Sequence, residues 1–132
     1  MPFTPGRPIT EAKADLFKAL AHPGRVRILE LLAQGERTIS ELAGGTGMEL
    51  SHLSQQVTVL RRAGVVDSRR VKNTVVCSLR DPQTAELLAV ARRMLTRTLE
   101  HDQELLAALS QADDAVALAD RSRQPSSAAT AR

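Results

Sequence analysis

Aromatic residues are almost absent from this sequence, which has two phenylalanines, Phe3 and Phe17, and no tryptophan or tyrosine. The core must therefore be built mainly from Leu, Val, Ile and Ala, a mixture that favours helices over sheets. The chain has 132 residues, of which 42% are hydrophobic, so we expect one folded unit with one modest core.

Cysteines and long apolar runs are equally scarce. The single cysteine, Cys77, cannot form an intrachain disulfide or a multi-thiolate metal site, so nothing indicates an oxidising compartment. No apolar run approaches the roughly 20 residues of a membrane span, and the first ten residues lack the apolar stretch of a signal peptide. We therefore expect a cytoplasmic protein with no membrane partner, and no pattern in the sequence calls for a cofactor.

Positive charge is concentrated in the middle of the chain. Residues 51–80 carry six basic residues and one acidic residue, whereas the whole chain has a net charge of only +3. A local basic block on a nearly neutral chain favours a polyanionic partner, because neutralising phosphates supplies much of the affinity for nucleic acids. A solvated charged face is the alternative interpretation.

Apolar residues at helical spacing predict four helices before residue 64, over residues 10–21, 23–34, 38–43 and about 49–63. The third opens with a capping box, Thr38 to Glu41, and the glycine-rich stretch 44–47 after it predicts a turn. A short capped helix, a turn and a longer helix with a polar face are typical of a helix-turn-helix, here residues 38–63. His22, just before a proline, is expected to stabilise the turn ahead of the second helix.

Two valine-rich runs, Val65–Val71 and Thr74–Leu79, predict a β-hairpin with Lys72-Asn73 at its tip, so that residues 65–80 form a wing. The expected fold is mainly α with this small β-hairpin wing, a winged helix-turn-helix domain over residues 10–110. Residues 1–9 are expected to form a flexible N-terminal arm, and residues 120–132, rich in Ser, Ala and Arg, a disordered tail.

A long helix is expected over residues 82–110, with an apolar stripe that little else in the chain could cover. A second copy of the chain is the expected partner, so the first and last helices would form the interface of a homodimer. The residues predicted at this interface are Phe17, Leu88, Ala91, Leu95, Leu99 and Leu106.

The second helix of a helix-turn-helix enters the major groove of DNA, where Gln, Ser, Thr and Arg read base edges or bind phosphates. A wing with Arg and Lys near its tip would reach an adjacent minor groove or phosphates, unless these charges only blunt the edge of the ribbon. The predicted DNA contacts are Ser51, His52, Ser54, Gln55, Gln56, Thr58, Arg61, Arg62, Arg69, Arg70, Lys72 and Asn73.

At this point the chain resembles the ArsR/SmtB family of bacterial winged-helix repressors. The resemblance rests on LFKALAHPGRVRILELL (16–32), TISELA (38–43), LSHLSQQVTVLRRAGVV (50–66) and the valine-rich wing, and covers roughly residues 10–100. It implies a homodimer that represses a promoter, bound to double-stranded DNA at an imperfect palindrome, until an unidentified inducer releases it.

The resemblance does not extend to the metal sites of the family. Metal-sensing members often carry a Cys-x-Cys motif at the start of the third helix, but the matching stretch here, residues 38–42, has no cysteine. Other members bind zinc through Asp, His, His and His or Glu on the last helix, where the aligned positions here are Asp81, Gln83, Met94 and Arg97. The resemblance therefore implies a repressor that lacks the usual metal-sensing sites.

Three alternatives remain open. A metal site outside the family pattern could use His101 and Glu104, one helical turn apart, although zinc generally takes more than two ligands, and Cys77 could have a redox role. A winged-helix module for protein contact would predict an acidic or apolar recognition face, which this basic region does not have. An enzyme is not expected, because no spacing of nucleophile, base, carboxylate pair or phosphate loop is found.

Overall fold

The computed structural model describes residues 5–123 and confirms the expected fold class, a mainly helical chain with a small antiparallel sheet. The chain divides between Val90 and Ala91 into two compact units, whereas one folded unit was expected from its length. The elements in chain order are α1 (Ile9–Leu20), α2 (Pro23–Ala33), β1 (Arg37–Thr38), α3 (Ile39–Thr46), α4 (Leu50–Arg62), β2 (Val66–Val71), β3 (Thr74–Leu79) and α5 (Gln83–Arg123).

The helices of the first unit begin where local chemistry can satisfy their free amides. His22 caps α2 as predicted, since its Nδ1 accepts from the amides of Gly24 at 3.0 Å and Arg25 at 3.4 Å. The predicted capping box of α3 is also present: Thr38 Oγ1 accepts from the Glu41 amide at 3.1 Å, and the Glu41 carboxylate accepts from the Thr38 amide at 3.2 Å. These caps fix where the two helices start.

Helix α3 extends beyond the predicted end at residue 43, to Thr46, so the prediction that the glycines form the turn was wrong for two of them. Gly44 and Gly45 are helical, and Gly47, with a φ of 71°, ends the helix in the left-handed conformation. A side chain at Gly45 would place its Cβ 2.8 Å from Leu31 Cδ1. The glycine thus lets α3 approach the Leu31 side chain of α2 closely, and a larger residue there would displace that side chain.

The sheet has three strands in the order β1-β3-β2, where the sequence predicted only the hairpin. The two hairpin strands lie within one residue of the predicted bounds, and Lys72, at the tip, has a positive φ of 56°. The short strand β1 adds to the other edge of β3, pairing Arg37 with Cys77 and Thr38 with Val76. Two residues are too few to show a strand periodicity, so no pattern in the sequence predicts β1.

One apolar core holds the first unit together. Seven side chains in it are completely enclosed, and Leu87 and Leu88, in the first turns of α5, pack against it. Leu88, predicted at a dimer interface, therefore already has partners within its own chain. The enclosed side chains are Ile28, Leu29, Leu42, Leu53, Leu60, Val66 and Cys77.

Helix α5 continues past the predicted end at residue 110 to Arg123, because neither glycine nor proline interrupts the sequence between Gln83 and Arg123. Residues 120–123, predicted in a disordered tail, thus belong to this helix, and residues 124–132 lie outside the described part. No helix in residues 5–123 is long and apolar enough to span a membrane.

Of the predicted N-terminal arm, residues 1–4 also lie outside the described part. Arg7 forms ion pairs with Asp15 and Glu11 of α1, and these contacts, the one to Asp15 above all, raise the pKa of its guanidinium. Helix α1 begins at Ile9, one residue before the predicted start.

Candidate nucleic-acid interface

The turn between α3 and α4 is fixed by one threonine. Thr46 Oγ1 donates to the carbonyl of Leu42 at 2.7 Å and accepts from the amide of Met48 at 3.2 Å. Together with the left-handed Gly47, these bonds direct the chain from the end of α3 into α4, which starts at Leu50 after the extended residue Glu49. The helix-turn-helix predicted from the sequence is therefore present, with a three-residue connection.

Helix α4 has one buried face and one exposed face. Leu53, Val57 and Leu60 anchor it in the core, at the spacing of three and four residues that places side chains on one side of a helix. Leu50, predicted with them, is 55% exposed. The exposed face carries most of the predicted DNA contacts: Ser51, His52, Ser54, Gln55, Arg61 and Arg62.

Thr58 and Gln56 differ from this group because both are partly buried. Thr58 donates its hydroxyl to the carbonyl of Ser54 at 2.8 Å. Gln56 Oε1 accepts from Arg25 at 3.3 Å, and the same guanidinium donates to the carbonyl of Lys18 at 3.3 Å. Arg25 thus connects α1, α2 and α4, and Gln56 braces the recognition helix against the rest of the fold.

A shallow depression of about 380 Å³ runs along the exposed side of α4. It is lined by Ser54, Gln55, Thr58, Val59 and Arg62. Hydroxyl, amide and guanidinium groups therefore lie along one continuous stretch of the helix surface, the side-chain types that bind base edges and phosphates.

The wing has two chemically different faces, because successive side chains of β2 point to opposite sides of the sheet. On the inner face, Val66 is buried in the core and Ser68 Oγ accepts from Arg61 of α4 at 3.4 Å. Arg70 follows on the same face, paired in register with Val75, which also packs against the core. Arg61 and Arg70 therefore lie on the side of the wing that faces α4.

The outer face carries Asp67 and Arg69, and both are in ion pairs. Both terminal nitrogens of Arg69 donate to the Glu36 carboxylate at 2.8 Å, and Arg80 donates to Asp67 at 2.9 Å. The bonds from Arg69 hold the pKa of Glu36 below its usual value, while those to Glu36 raise the pKa of Arg69. The structure thus separates Arg69 from Arg70, although the sequence grouped them as DNA contacts.

Lys72 and Asn73 form the exposed tip of the hairpin. Within residues 5–123, no ion pair involves Arg61, Arg62, Arg70 or Lys72. The inner face and the tip of the wing therefore keep their full positive charge.

The remaining histidine of this region, His52, lies near the α2 cap. The ring centroids of His22 and His52 are 6.4 Å apart, with the planes tilted by 55°. Nδ1 of His22 accepts hydrogen bonds from two backbone amides, so its lone pair is already engaged within the chain. Of the two histidines, His52 is the exposed one.

The other candidate sites are scattered. His101 and Glu104 are exposed on α5, and residues 5–123 contain no group of three or more His, Cys, Asp or Glu side chains placed to hold a metal ion. Cys77 is fully enclosed, and this burial raises the pKa of its thiol. The residues predicted at a dimer interface on α1 and on α5 beyond Val90 are exposed: Phe17, Ala91, Leu95, Leu99 and Leu106.

Comparison with known proteins agrees with this geometry. Residues 22–68, which span α2 to the start of the wing, match the arsR family of bacterial regulatory proteins. The HTH-type transcriptional regulator Rv0081 of Mycobacterium tuberculosis is 54% identical over 93 residues, covering 70% of this chain and 82% of that protein. A biofilm growth-associated repressor of Agrobacterium fabrum is 41% identical over 75 residues, which is 57% of this chain and 64% of that repressor.

Solved structures extend the match to the fold. The crystal structure of Rv0081 superposes with a TM-score of 0.66 at 52% identity, covering 73% of this chain and 97% of that one. A homodimeric winged helix-turn-helix domain from Mycobacterium bovis, Mb0332, superposes with a TM-score of 0.63 at 33% identity, covering 74% of this chain and 95% of that one. The chain is a member of the arsR family of bacterial transcriptional regulators.

Proposed function

We propose that this chain is a homodimeric transcription repressor that binds double-stranded DNA through α4 and the wing. The observation that carries the proposal is a continuous surface on which the polar face of α4 meets the unpaired cations of the wing. Arg61 lies where the two elements meet, hydrogen-bonded to Ser68 of β2. A surface of this composition offers both base-reading and phosphate-binding groups.

The exposed α4 side chains fall into a group that suits base reading and a group that suits phosphate binding. Gln55 can pair with an adenine through two hydrogen bonds, and Ser51 and Ser54 can donate to or accept from base edges. Arg61 and Arg62, in the last turn of the helix, suit the phosphate backbone, as do Arg70 and Lys72 of the wing. The alternative of a protein-contact module is less well supported, since this surface is basic rather than acidic or apolar.

The homodimer is supported by the leucines exposed on α5 and by the related homodimeric domain from M. bovis. Two copies related by a twofold axis would present two recognition helices to successive major grooves, about one helical turn or roughly 34 Å apart. The proposed target is therefore an imperfect palindrome. A DNA partner also makes the cytoplasm the proposed location.

The test is a binding titration of purified protein against DNA from upstream of its own gene, with an unrelated fragment as control. The proposal predicts tight, salt-dependent binding to the upstream DNA and at least tenfold weaker binding to the control. The titration is repeated with metal salts and with an oxidant, and an additive that abolishes binding would identify the class of inducer. Equal binding to both fragments at every salt concentration would instead favour the protein-contact module.

A further inference from the structure

The Glu36–Arg69 ion pair joins two distant parts of the first unit. Glu36 lies in the turn between α2 and β1, and Arg69 lies in β2, 33 residues further along the chain. Two parallel bonds of 2.8 Å give the pair a defined geometry, since a guanidinium and a carboxylate fit each other only in one plane.

The turn that carries Glu36 is itself held in place. The guanidinium of Arg37 donates to the carbonyls of Gly35 at 3.1 Å and Glu36 at 3.0 Å, and to Gln34 Oε1 at 3.4 Å. Gly35 has a φ of 142°, which side-chain-bearing residues rarely adopt. These contacts therefore hold the backbone of the turn that carries the Glu36 carboxylate.

The pair also spans the sheet. Arg69 pairs in register with Val76 of β3, and Val76 pairs with Thr38 of β1. The ion pair thus joins the segment before β1, at one edge of the sheet, to β2 at the other edge, across β3. Arg69 lies two residues before the end of β2.

Resting on the proposed function, we propose that Glu36 is a wing-positioning residue: its carboxylate holds Arg69 across the sheet and so sets the wing for DNA contact by Arg70 and Lys72. Arg69 acts within the protein and does not bind phosphate. The outer face of the wing, with Arg69 on Glu36 and Arg80 on Asp67, is neutralised by these pairs, whereas the inner face is not.

The variant Glu36→Gln distinguishes this role from a phosphate contact by Arg69, because the two predict opposite changes in DNA affinity. If Arg69 binds DNA, the substitution frees a cation and strengthens binding. If Glu36 positions the wing, binding weakens by about two- to fivefold, as expected for the loss of an exposed ion pair. The slope of log affinity against log salt concentration falls as well, because the wing cations contact the DNA phosphates less often.

The charge swap Glu36→Arg with Arg69→Glu is the decisive second variant. It keeps the ion pair but places a carboxylate on β2, so we expect affinity within twofold of the wild type and an unchanged salt slope. Asp67→Asn, which breaks the other ion pair of the same face far from the tip, is the matched control and should leave the slope unchanged. Thermal unfolding by circular dichroism verifies that every variant is folded.

Stronger or unchanged binding of Glu36→Gln overturns the inference, as does a swap variant that binds no better than Glu36→Gln. Both results are read against wild-type protein on the same upstream DNA. Failure of the wild type to bind selectively would contradict the proposed function, whereas selective wild-type binding with either of these variant results contradicts only the role of Glu36.

Discussion

Helix α4 and the part of α5 beyond Val90 are both amphipathic, but within residues 5–123 only α4 has its apolar side covered. Leu53, Val57 and Leu60 of α4 are buried, whereas Leu95 and Leu99 of α5 are more than 60% exposed. The polar side of α4 is therefore available for a ligand without loss of the fold. The apolar side of α5 instead requires a partner, because exposed leucines at helical spacing mark an association surface.

The largest expected effect comes from the buried side of α4. Leu53→Ala should lower the free energy of unfolding by about 2–5 kcal/mol, because it removes a completely enclosed side chain and leaves a cavity. Leu50→Ala, on the same helix but 55% exposed, is the matched control and should cost less than about 1 kcal/mol. Urea denaturation measures both; equal losses would contradict the assignment of the two faces.

A slightly smaller effect is expected from the apolar side of α5. Leu95→Glu should convert the proposed dimer to a monomer and weaken DNA binding about 100-fold, because the second half-site is no longer bound by a linked copy. Arg97→Glu puts the same carboxylate two residues further on, on the opposite side of the helix, and should preserve the dimer. Light scattering after gel filtration gives the molar mass. A dimeric Leu95→Glu variant would exclude this stripe from the interface.

The two glutamines of α4 test its polar side. Gln55→Ala should cost about 1–3 kcal/mol of discrimination at one base pair, because an exposed amide that reads a base edge is removed. Gln56→Ala should leave discrimination intact, since its amide is engaged by Arg25. Binding to a panel of operators with single base changes measures both, and a stronger loss of discrimination in Gln56→Ala would reverse the two assignments.

The smallest expected effect is a pH dependence in the wing. Because Arg69 holds the pKa of Glu36 below its usual value, the pair stabilises the fold above the unfolded pKa of about 4.3 and loses this contribution as pH falls through the folded pKa. Arg69→Ala should return the pKa of Glu36 towards its usual value. NMR titration of the Glu36 side-chain carboxyl measures this change. Titration of Glu36 unchanged by Arg69→Ala would show that the ion pair does not form in solution.

Local signals in the sequence predicted the helix-turn-helix and the wing correctly. The capping box of Thr38 and Glu41 marked the start of α3, and the two valine-rich runs marked β2 and β3. The polar face of α4 followed from the spacing of its buried leucines. These features depend on neighbours within a few residues, which is the range over which periodicity and capping are informative.

Contacts between distant residues could not be predicted in this way. Gln56 meets Arg25 across 31 positions and Arg69 meets Glu36 across 33, so no pattern in either segment shows the other. Gly45 reads locally as a helix breaker, and its close approach to the Leu31 side chain of α2 shows only in the fold. The sequence thus identified the surface proposed to face DNA but not which of its side chains already have partners within the fold.

The central claim, that two copies of the chain read two half-sites through α4, is tested most directly by hydroxyl-radical footprinting on the upstream DNA. We expect two protected patches about one helical turn apart, roughly 34 Å, with two protomers bound per duplex. A single patch occupied by one protomer, or uniform protection along the fragment, would contradict it.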